Sequence, residues 1–271
     1  MLLDMEHASR NRLIAIGGLG IALLTWRWAS AHMHDRSTCL LTMFLPLTLA
    51  PVVAFAGRRF LRGKRTLAEV KLATTLVHYG VAIPMGVAII AAMKTAQQWR
   101  YWPFSFPQVP ATILLAVTGA AVTWTVLNLA WRGLGAPFGI VLSHRLATDW
   151  AYRYSRNPMA VSLAAFFAAL GLWLESGLFL VWLVLALVPA EISFLSLYEE
   201  RELELRFGPQ YLSYKARTPM FLGLRKTPQP KRDVEVPGGQ TAPAAIAPRS
   251  VTSVTPSSEP QFGRSRSPRR G

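Results

Sequence analysis

Apolar residues gather in six runs, at about Arg12–Ala29, Cys39–Gly57, Leu72–Met93, Val109–Trp131, Met159–Leu174 and Gly177–Tyr198. Each approaches the ~20 residues that a helix needs to cross a hydrocarbon core ~30 Å thick. A backbone in lipid must satisfy its own N–H and C=O groups, so the runs predict helices. Only Glu175-Ser176 separates the last two, which makes them a tight helical hairpin. The pattern predicts an all-α fold: a polytopic membrane bundle of about six transmembrane helices, with the hairpin at its C-terminal end. After Lys226 the pattern stops. The stretch Lys226–Gly271 has eight prolines, many Ser and Thr, one aromatic residue and the basic ending Arg264-Ser-Arg-Ser-Pro-Arg-Arg270. So little apolar surface cannot offset the entropy of ordering, and the tail reads as disordered.

Composition agrees with the pattern. Of 271 residues, 52% are apolar and 16% charged, against about 25% charged in an ordinary soluble domain. The net charge of +15 is spread between and after the apolar runs, which points to membrane topology and anionic lipid heads and away from nucleic acid. Six Lys and Arg follow the second run, four the fourth and thirteen the hairpin, against two after each of the first and third. This alternation places both termini in the cytoplasm, in the plasma (inner) membrane in preference to an organelle membrane. The poor loop Lys94–Gln108 carries Trp99, Tyr101, Trp102, Phe104 and Phe106, an aromatic belt for the outer interface. Arg10, Arg12, the apolar stretch Leu13–Trp26 and Ala29-Ser30-Ala31 also have the layout of a cleavable signal peptide. Arg27, inside the would-be cleavage region, favours a retained membrane segment. A single cysteine, Cys39, excludes an internal disulfide and a multi-cysteine metal site. Three regions follow: four membrane segments over 1–131, a region 132–225 bearing the candidate chemistry, and the tail 226–271.

Polar residues with chemical potential cluster beside and inside the hairpin, in three groups. Gly133-Leu-Gly135 follows the fourth run and suits either a helix C-cap or a close backbone approach to a ligand. Tyr152-Arg153-Tyr154-Ser155-Arg156-Asn157-Pro158-Met159 precedes the hairpin, with Pro158 placed for the first turn of a helix. Arg156 and Asn157 would then sit at a helix N-terminus, favourable to an anion such as a carboxylate; equally, Arg153 and Arg156 suit lipid anchors. The third group runs from Tyr198-Glu199-Glu200 through Glu202, Glu204 and Arg206 to Phe207-Gly208-Pro209-Gln210-Tyr211 and Tyr214. Its acidic pair suits ribose hydroxyls or a cationic ligand, whereas Glu202, Glu204 and Arg206 read as a solvated charge run with an i,i+4 pair. Glu191, after Pro189 on the same helix, is an intramembrane acid and a candidate for the site lining. His78 and Asn128 suit hydrogen bonds across helices, and His144 suits an exposed loop.

Taken in order, Gly-x-Gly, Tyr-Arg-x-x-Arg-Asn-Pro-Met, an apolar hairpin and Glu-Glu…Phe-Gly-x-x-Tyr-x-x-Tyr resemble the integral-membrane methyltransferases, the family of the isoprenylcysteine carboxyl methyltransferases and phospholipid N-methyltransferases. The resemblance spans about Trp131 to Leu224. It implies S-adenosylmethionine as cofactor, bound at the cytoplasmic end of the hairpin, and a lipid or lipidated acceptor taken from the bilayer. It implies Gly133, Gly135, Tyr154, Arg156, Asn157, Pro158, Glu199 and Glu200 as cofactor-binding residues, with Glu191, Tyr211 and Tyr214 toward the substrate. Three positions depart from the family pattern. Trp150-Ala151 replaces Gly-Pro, Ala160-Val161-Ser162 replaces Tyr-x-Gly after Pro-Met, and Thr218-Pro219-Met220 replaces the closing Val-Pro-Arg.

Methyl transfer from a sulfonium is an in-line displacement in which positioning supplies most of the effect. A carboxylate acceptor needs only desolvation, whereas an amine must also lose a proton. With no evident base in the three groups, the sequence leans toward a carboxylate such as that of a prenylated cysteine. A nicotinamide-dependent membrane reductase of the steroid-reductase type is the competing enzyme, although Glu199-Glu200 suits an anionic cofactor poorly. A non-catalytic membrane adaptor using its basic tail is the third reading.

Overall fold

The computed structural model describes residues 2–133 and 146–223. Gly135, His144 and the Lys226–Gly271 tail lie outside the described residues. The elements are helices: α1 Leu2–His32, α2 Arg36–Thr42, α3 Leu45–Phe60, α4 Leu67–Trp99, α5 Gln108–Gly133, a short 3-10 turn Trp150–Arg153 and α6 Pro158–Trp173. A long α7, Gly177–Phe207, follows, and then α8, Pro209–Arg217. Among the described residues the only β-type pairing is an isolated bridge between Pro103 and Ser176.

Among the described residues, five helical stretches are long and apolar enough to cross a membrane: Leu13–His32, Arg36–Phe60 (α2 with α3), Leu67–Trp99, Gln108–Trp131 and Gly177–Phe207. The sixth expected segment is α6, whose 16 residues reach about 24 Å, short of a full hydrocarbon core. Outward faces are apolar, with Leu24 72%, Val117 60% and Val184 62% exposed. Large apolar side chains displayed this way along most of the helices suit lipid as surrounding solvent.

Local chemistry sets the boundaries. Asp35 accepts from the Thr38 N–H at 2.8 Å and caps α2. Thr66 and Glu69 form a reciprocal capping box at the start of α4, with Thr66 N–H donating to Glu69 at 2.8 Å. Pro158 stands in the first turn of α6, where its missing N–H costs nothing. At the hairpin turn Glu175 adopts φ 50° and accepts the Phe106 N–H at 3.2 Å, while Gly177 N–H donates to the Trp102 carbonyl at 2.9 Å. The aromatic loop is thereby stitched to the hairpin turn. Site and aromatic loop therefore lie at opposite ends of α6 and α7.

Helices α1, α2 and α3 pack along α4, α5 packs along α6, and α3 also packs on α7. Small residues let the backbones approach closely. Ala88, Ala91, Ala92 and Ala96 of α4 meet Phe167, Phe179 and Trp182, and Ala50 and Ala54 of α3 meet Phe194 and Tyr198. At Gly57 a Cβ would lie 2.6 Å from the Tyr198 ring, so glycine brings α3 against α7 at the level of the site.

Candidate active site

Helix α7 is not a regular α-helix. Two π turns interrupt it, Leu183–Leu187 and Leu195–Glu199, marked by i→i−5 bonds from Val188 N–H to Leu183 and from Glu200 N–H to Leu195. Pro189 lacks the N–H that an α turn would use, and a widened turn beside it accommodates that loss. Arg58 of α3 donates to the Leu197 carbonyl inside the second π turn at 3.3 Å. In a regular helix, residues eight apart are about 80° out of phase at ~100° per residue. The extra residue of a π turn removes about 100°, bringing Glu191 and Glu199 within about 20° of each other. Both line one cavity.

That cavity holds about 700 Å³ between α4 and the α5–α6 pair, with α7 along one side. Its polar end collects Thr74 and His78 from α4, Tyr152, Arg156 and Asn157 before α6, Glu191, Glu199, Glu202 and Arg206 from α7, and Tyr211 and Tyr214 from α8. Its other end is apolar, formed by Trp26, Met85, Gly86, Ile89, Phe167 and Leu183. The carboxylates of Glu191 and Glu199 have no hydrogen-bond or ion-pair partner among the described residues.

The neighbouring Glu200 is fully engaged. Its carboxylate pairs with the Arg156 guanidinium on one oxygen and with Lys215 Nζ at 2.6 Å on the other. Arg156 Nη1 also donates to the Tyr211 hydroxyl at 3.3 Å, while its buried Nε has no partner among the described residues. Lys215 further binds Glu204 at 3.0 Å. Burial alone would lower the Lys215 pKa, and the bonds to Glu200 and Glu204 outweigh it and raise it. Burial pushes the Tyr211 phenol up to about 12, against a lowering hydrogen bond from Arg156. Tyr152 and Tyr214 are raised for the same first reason, loss of solvent.

The segment before α6 is fixed by backbone bonds from the end of α8. Arg156 N–H donates to the Pro219 carbonyl at 2.9 Å, and Ser155 Oγ and Asn157 Nδ2 donate to the Met220 carbonyl at 3.2 and 3.1 Å. Tyr214 donates to the carbonyls of Tyr152 at 2.6 Å and Ser155 at 3.2 Å. The departing Thr218-Pro219-Met220 thus acts through its main chain, to which side-chain identity matters little.

The structure brings together Arg156, Asn157, Glu191, Glu199, Tyr211 and Tyr214 around the cavity. It places Pro158 behind them in α6 and Tyr154 on the surface at 61% exposure, neither of them on the cavity wall, and Gly133 as the last residue of α5. Three expectations change. Glu202 and Arg206 are not a solvated run: their side chains are 2% and 6% exposed and paired at 2.8 Å, with Thr74 Oγ1 donating to Glu202 at 3.2 Å. His78 bonds to the Thr74 carbonyl of its own helix at 2.8 Å and meets the Phe194 ring edge-on, instead of bonding across helices. Asn128, 5% exposed, has no side-chain partner among the described residues. Sequence reasoning also missed the α4 wall. Its signal was present as Thr74, His78, Ala82, Met85 and Ile89, spaced by three or four along one helix face.

Residues 107–210 match the family model for phospholipid methyltransferase. Neither a curated protein nor a solved structure matches the chain. The matched segment takes in α5, α6, α7 and the start of α8; α1 to α4 lie before it.

Proposed function

We propose, from the match of residues 107–210 to the phospholipid methyltransferase family model, that the cavity binds S-adenosylmethionine and a lipid amine and transfers a methyl group between them at the cytoplasmic face. The observation that carries this reading is the pair of carboxylates, Glu191 and Glu199, without a hydrogen-bond or ion-pair partner among the described residues, on one stripe of α7 lining the cavity. Negative charge in low-dielectric surroundings attracts a sulfonium or ammonium and repels phosphate or carboxylate. The acceptor therefore inclines to an amine, where the sequence alone leaned to a carboxylate.

The residues fit the cofactor. The cavity volume falls within the ~300–1,000 Å³ of small-molecule sites. Arg156 lines the cavity and brings a positive charge for the amino-acid carboxylate, with Glu200 and Tyr211 holding its guanidinium and Lys215 fixing Glu200 in turn. Glu199 lies one residue from Glu200 and faces the cationic portion. Bound there, S-adenosylmethionine supplies an electrophilic methyl group on sulfur. Apolar walls from α4, α5 and α6 exclude water from the path. An ammonium acceptor must release a proton before its lone pair can attack, and Glu191 and Glu199 stand ready to receive it.

The test uses the full-length protein in detergent, titrated separately with S-adenosylmethionine and NADPH. We expect saturable binding of the first, none of the second, and at least about tenfold weaker binding in Glu199→Gln, one lost charged contact at ~1.4 kcal/mol or more. NADPH binding without S-adenosylmethionine binding would replace the methyltransferase with a reductase. Binding of neither would leave an adaptor.

A further inference from the structure

The cavity is longer than its polar end requires. Along α4 its lining runs from Thr74 to Ile89, fifteen residues and about 22 Å of helix. The lining side chains that hydrogen-bond or pair with one another, Thr74, Arg156, Glu202, Arg206 and Tyr211, sit near the Thr74 end. Trp26 of α1 lines the apolar far end together with Ile89, Phe167 and Leu183.

Trp26 is seated, not merely adjacent. Its indole Nε1 donates to the Ile83 carbonyl of α4 at 3.0 Å, which satisfies its one polar atom and leaves the ring's apolar body to the cavity. Gly86 makes the seat: a Cβ there would lie 2.2 Å from Nε1. Tyr79, donating to the Ala15 carbonyl at 2.7 Å with its ring over Gly18, fixes α1 against α4 one level nearer the polar end. An apolar end continuous with a charged one fits a ligand with a charged head and one hydrocarbon chain. A ring as large as Trp26, held rigidly in that apolar end, takes up room that the chain would otherwise fill. This wall lies before the matched segment 107–210, so it belongs to the part of the chain that the shared family pattern does not dictate.

We propose that Trp26, seated on Gly86, is the floor of an acyl-chain pocket and sets the longest chain the protein accepts. The proposal rests on the cavity being the acceptor site; its binding test needs neither cofactor nor methyl transfer. Truncating the indole deepens the pocket. Each further methylene buried strengthens binding by several-fold, so room for two yields about tenfold or more.

The experiment uses the full-length protein in detergent and lysophosphatidylethanolamines of graded saturated chain length, each also made with a bromine at the chain end. Bromine quenches only nearby indoles. In the wild type the longest chain that fits should quench a component of the tryptophan fluorescence that Trp26→Phe lacks. Trp26→Ala should shift the preferred length upward, raising the long-to-short affinity ratio about tenfold, with Trp26→Phe between. Equal quenching in wild type and Trp26→Phe, or the same length profile in every variant, overturns the proposal. If Trp26→Ala is not monodisperse, the profile and quenching of Trp26→Phe decide alone. A shifted profile in a protein that binds no S-adenosylmethionine keeps the floor and refutes the methyltransferase. Methyl transfer with an unshifted profile does the reverse.

Discussion

Glu202 shows how much a single side chain's role depends on what packs over it. Four residues before Arg206 on α7, it forms the i,i+4 pair that its spacing suggests, and such a pair on an open helix contributes about 0.3–0.5 kcal/mol. Here Thr74 of α4 donates to the same carboxylate and shares a hydrogen bond with the Tyr198 hydroxyl at 3.1 Å, and the pair is buried. Removing one partner of a buried pair strands the other and costs about 3–5 kcal/mol. Glu202→Ala should therefore lower the unfolding midpoint in detergent far more than Glu204→Ala, whose partners Arg201 and Lys215 are part-exposed. Equal effects would return Glu202 to the surface. The double substitution Glu202→Leu with Arg206→Met should recover part of the loss, because neither member of this pair is then buried without the other. None of this burial was legible in the sequence. The composition of Arg201–Arg206 is that of a solvated helix end, and only the approach of α4, fixed from far away in the chain, changes its meaning.

The apolar runs of the hairpin were legible because length and hydropathy alone decide whether a segment can sit in lipid. The two π turns of α7 were not, since inserting one residue alters no composition, and Pro189 was the only local hint. Yet they align Glu191 with Glu199. The Phe-Gly-x-x-Tyr-x-x-Tyr pattern was visible in the sequence, but the short α8 that carries it was not; its Tyr211 and Tyr214 clamp the segment before α6, and Lys215 ties α8 to Glu200 of α7. Two of these contacts carry a pH signature. Tyr211 is raised from 10.0 to about 12 by burial, and Lys215 is raised above 10.5, burial being outweighed by its carboxylates. A group whose folded pKa exceeds its unfolded value stabilises fully below the unfolded value and loses that contribution as pH rises through the folded one. Docking of α8 should thus be complete at neutral pH and weaken between about pH 10 and 12. Hydrogen exchange of the Gln210–Lys215 amides in detergent reads it directly. Tyr211→Phe removes the phenol, so its α8 should stay protected to higher pH than the wild type; earlier loss of protection would show that the Tyr211 hydroxyl bond dominates instead.

At the scale of the molecule, the helices alone do not say which end faces the cytoplasm, and the distribution of charge supplies an expectation to be tested. Site and basic residues share one end: Arg58 and Arg59 close α3, Arg156 opens α6, and Lys215 and Arg217 close α8. The opposite end holds the aromatic loop bound to Glu175, with Arg100 paired to it at 3.4 Å and Arg36 over the Tyr101 ring at 4.7 Å. Of the few cations at that end, these two are tied to local partners. An aromatic, cation-poor end is stable at the outer interface, and basic loops are retained inside. S-adenosylmethionine is made in the cytoplasm, so the proposed activity requires the same orientation. The native chain offers a clean test, because Cys39 is its single cysteine and is fully buried. In a Cys39→Ala background, cysteine at Ser105 should react with an impermeant maleimide on intact cells. Cysteine at Lys64, in the turn between α3 and α4, should react only after the membrane is opened. The reverse result would invert the molecule and place the cavity's charged mouth outside the cell, where a cytoplasmic donor cannot reach Glu199; the methyltransferase reading would then fail together with the topology.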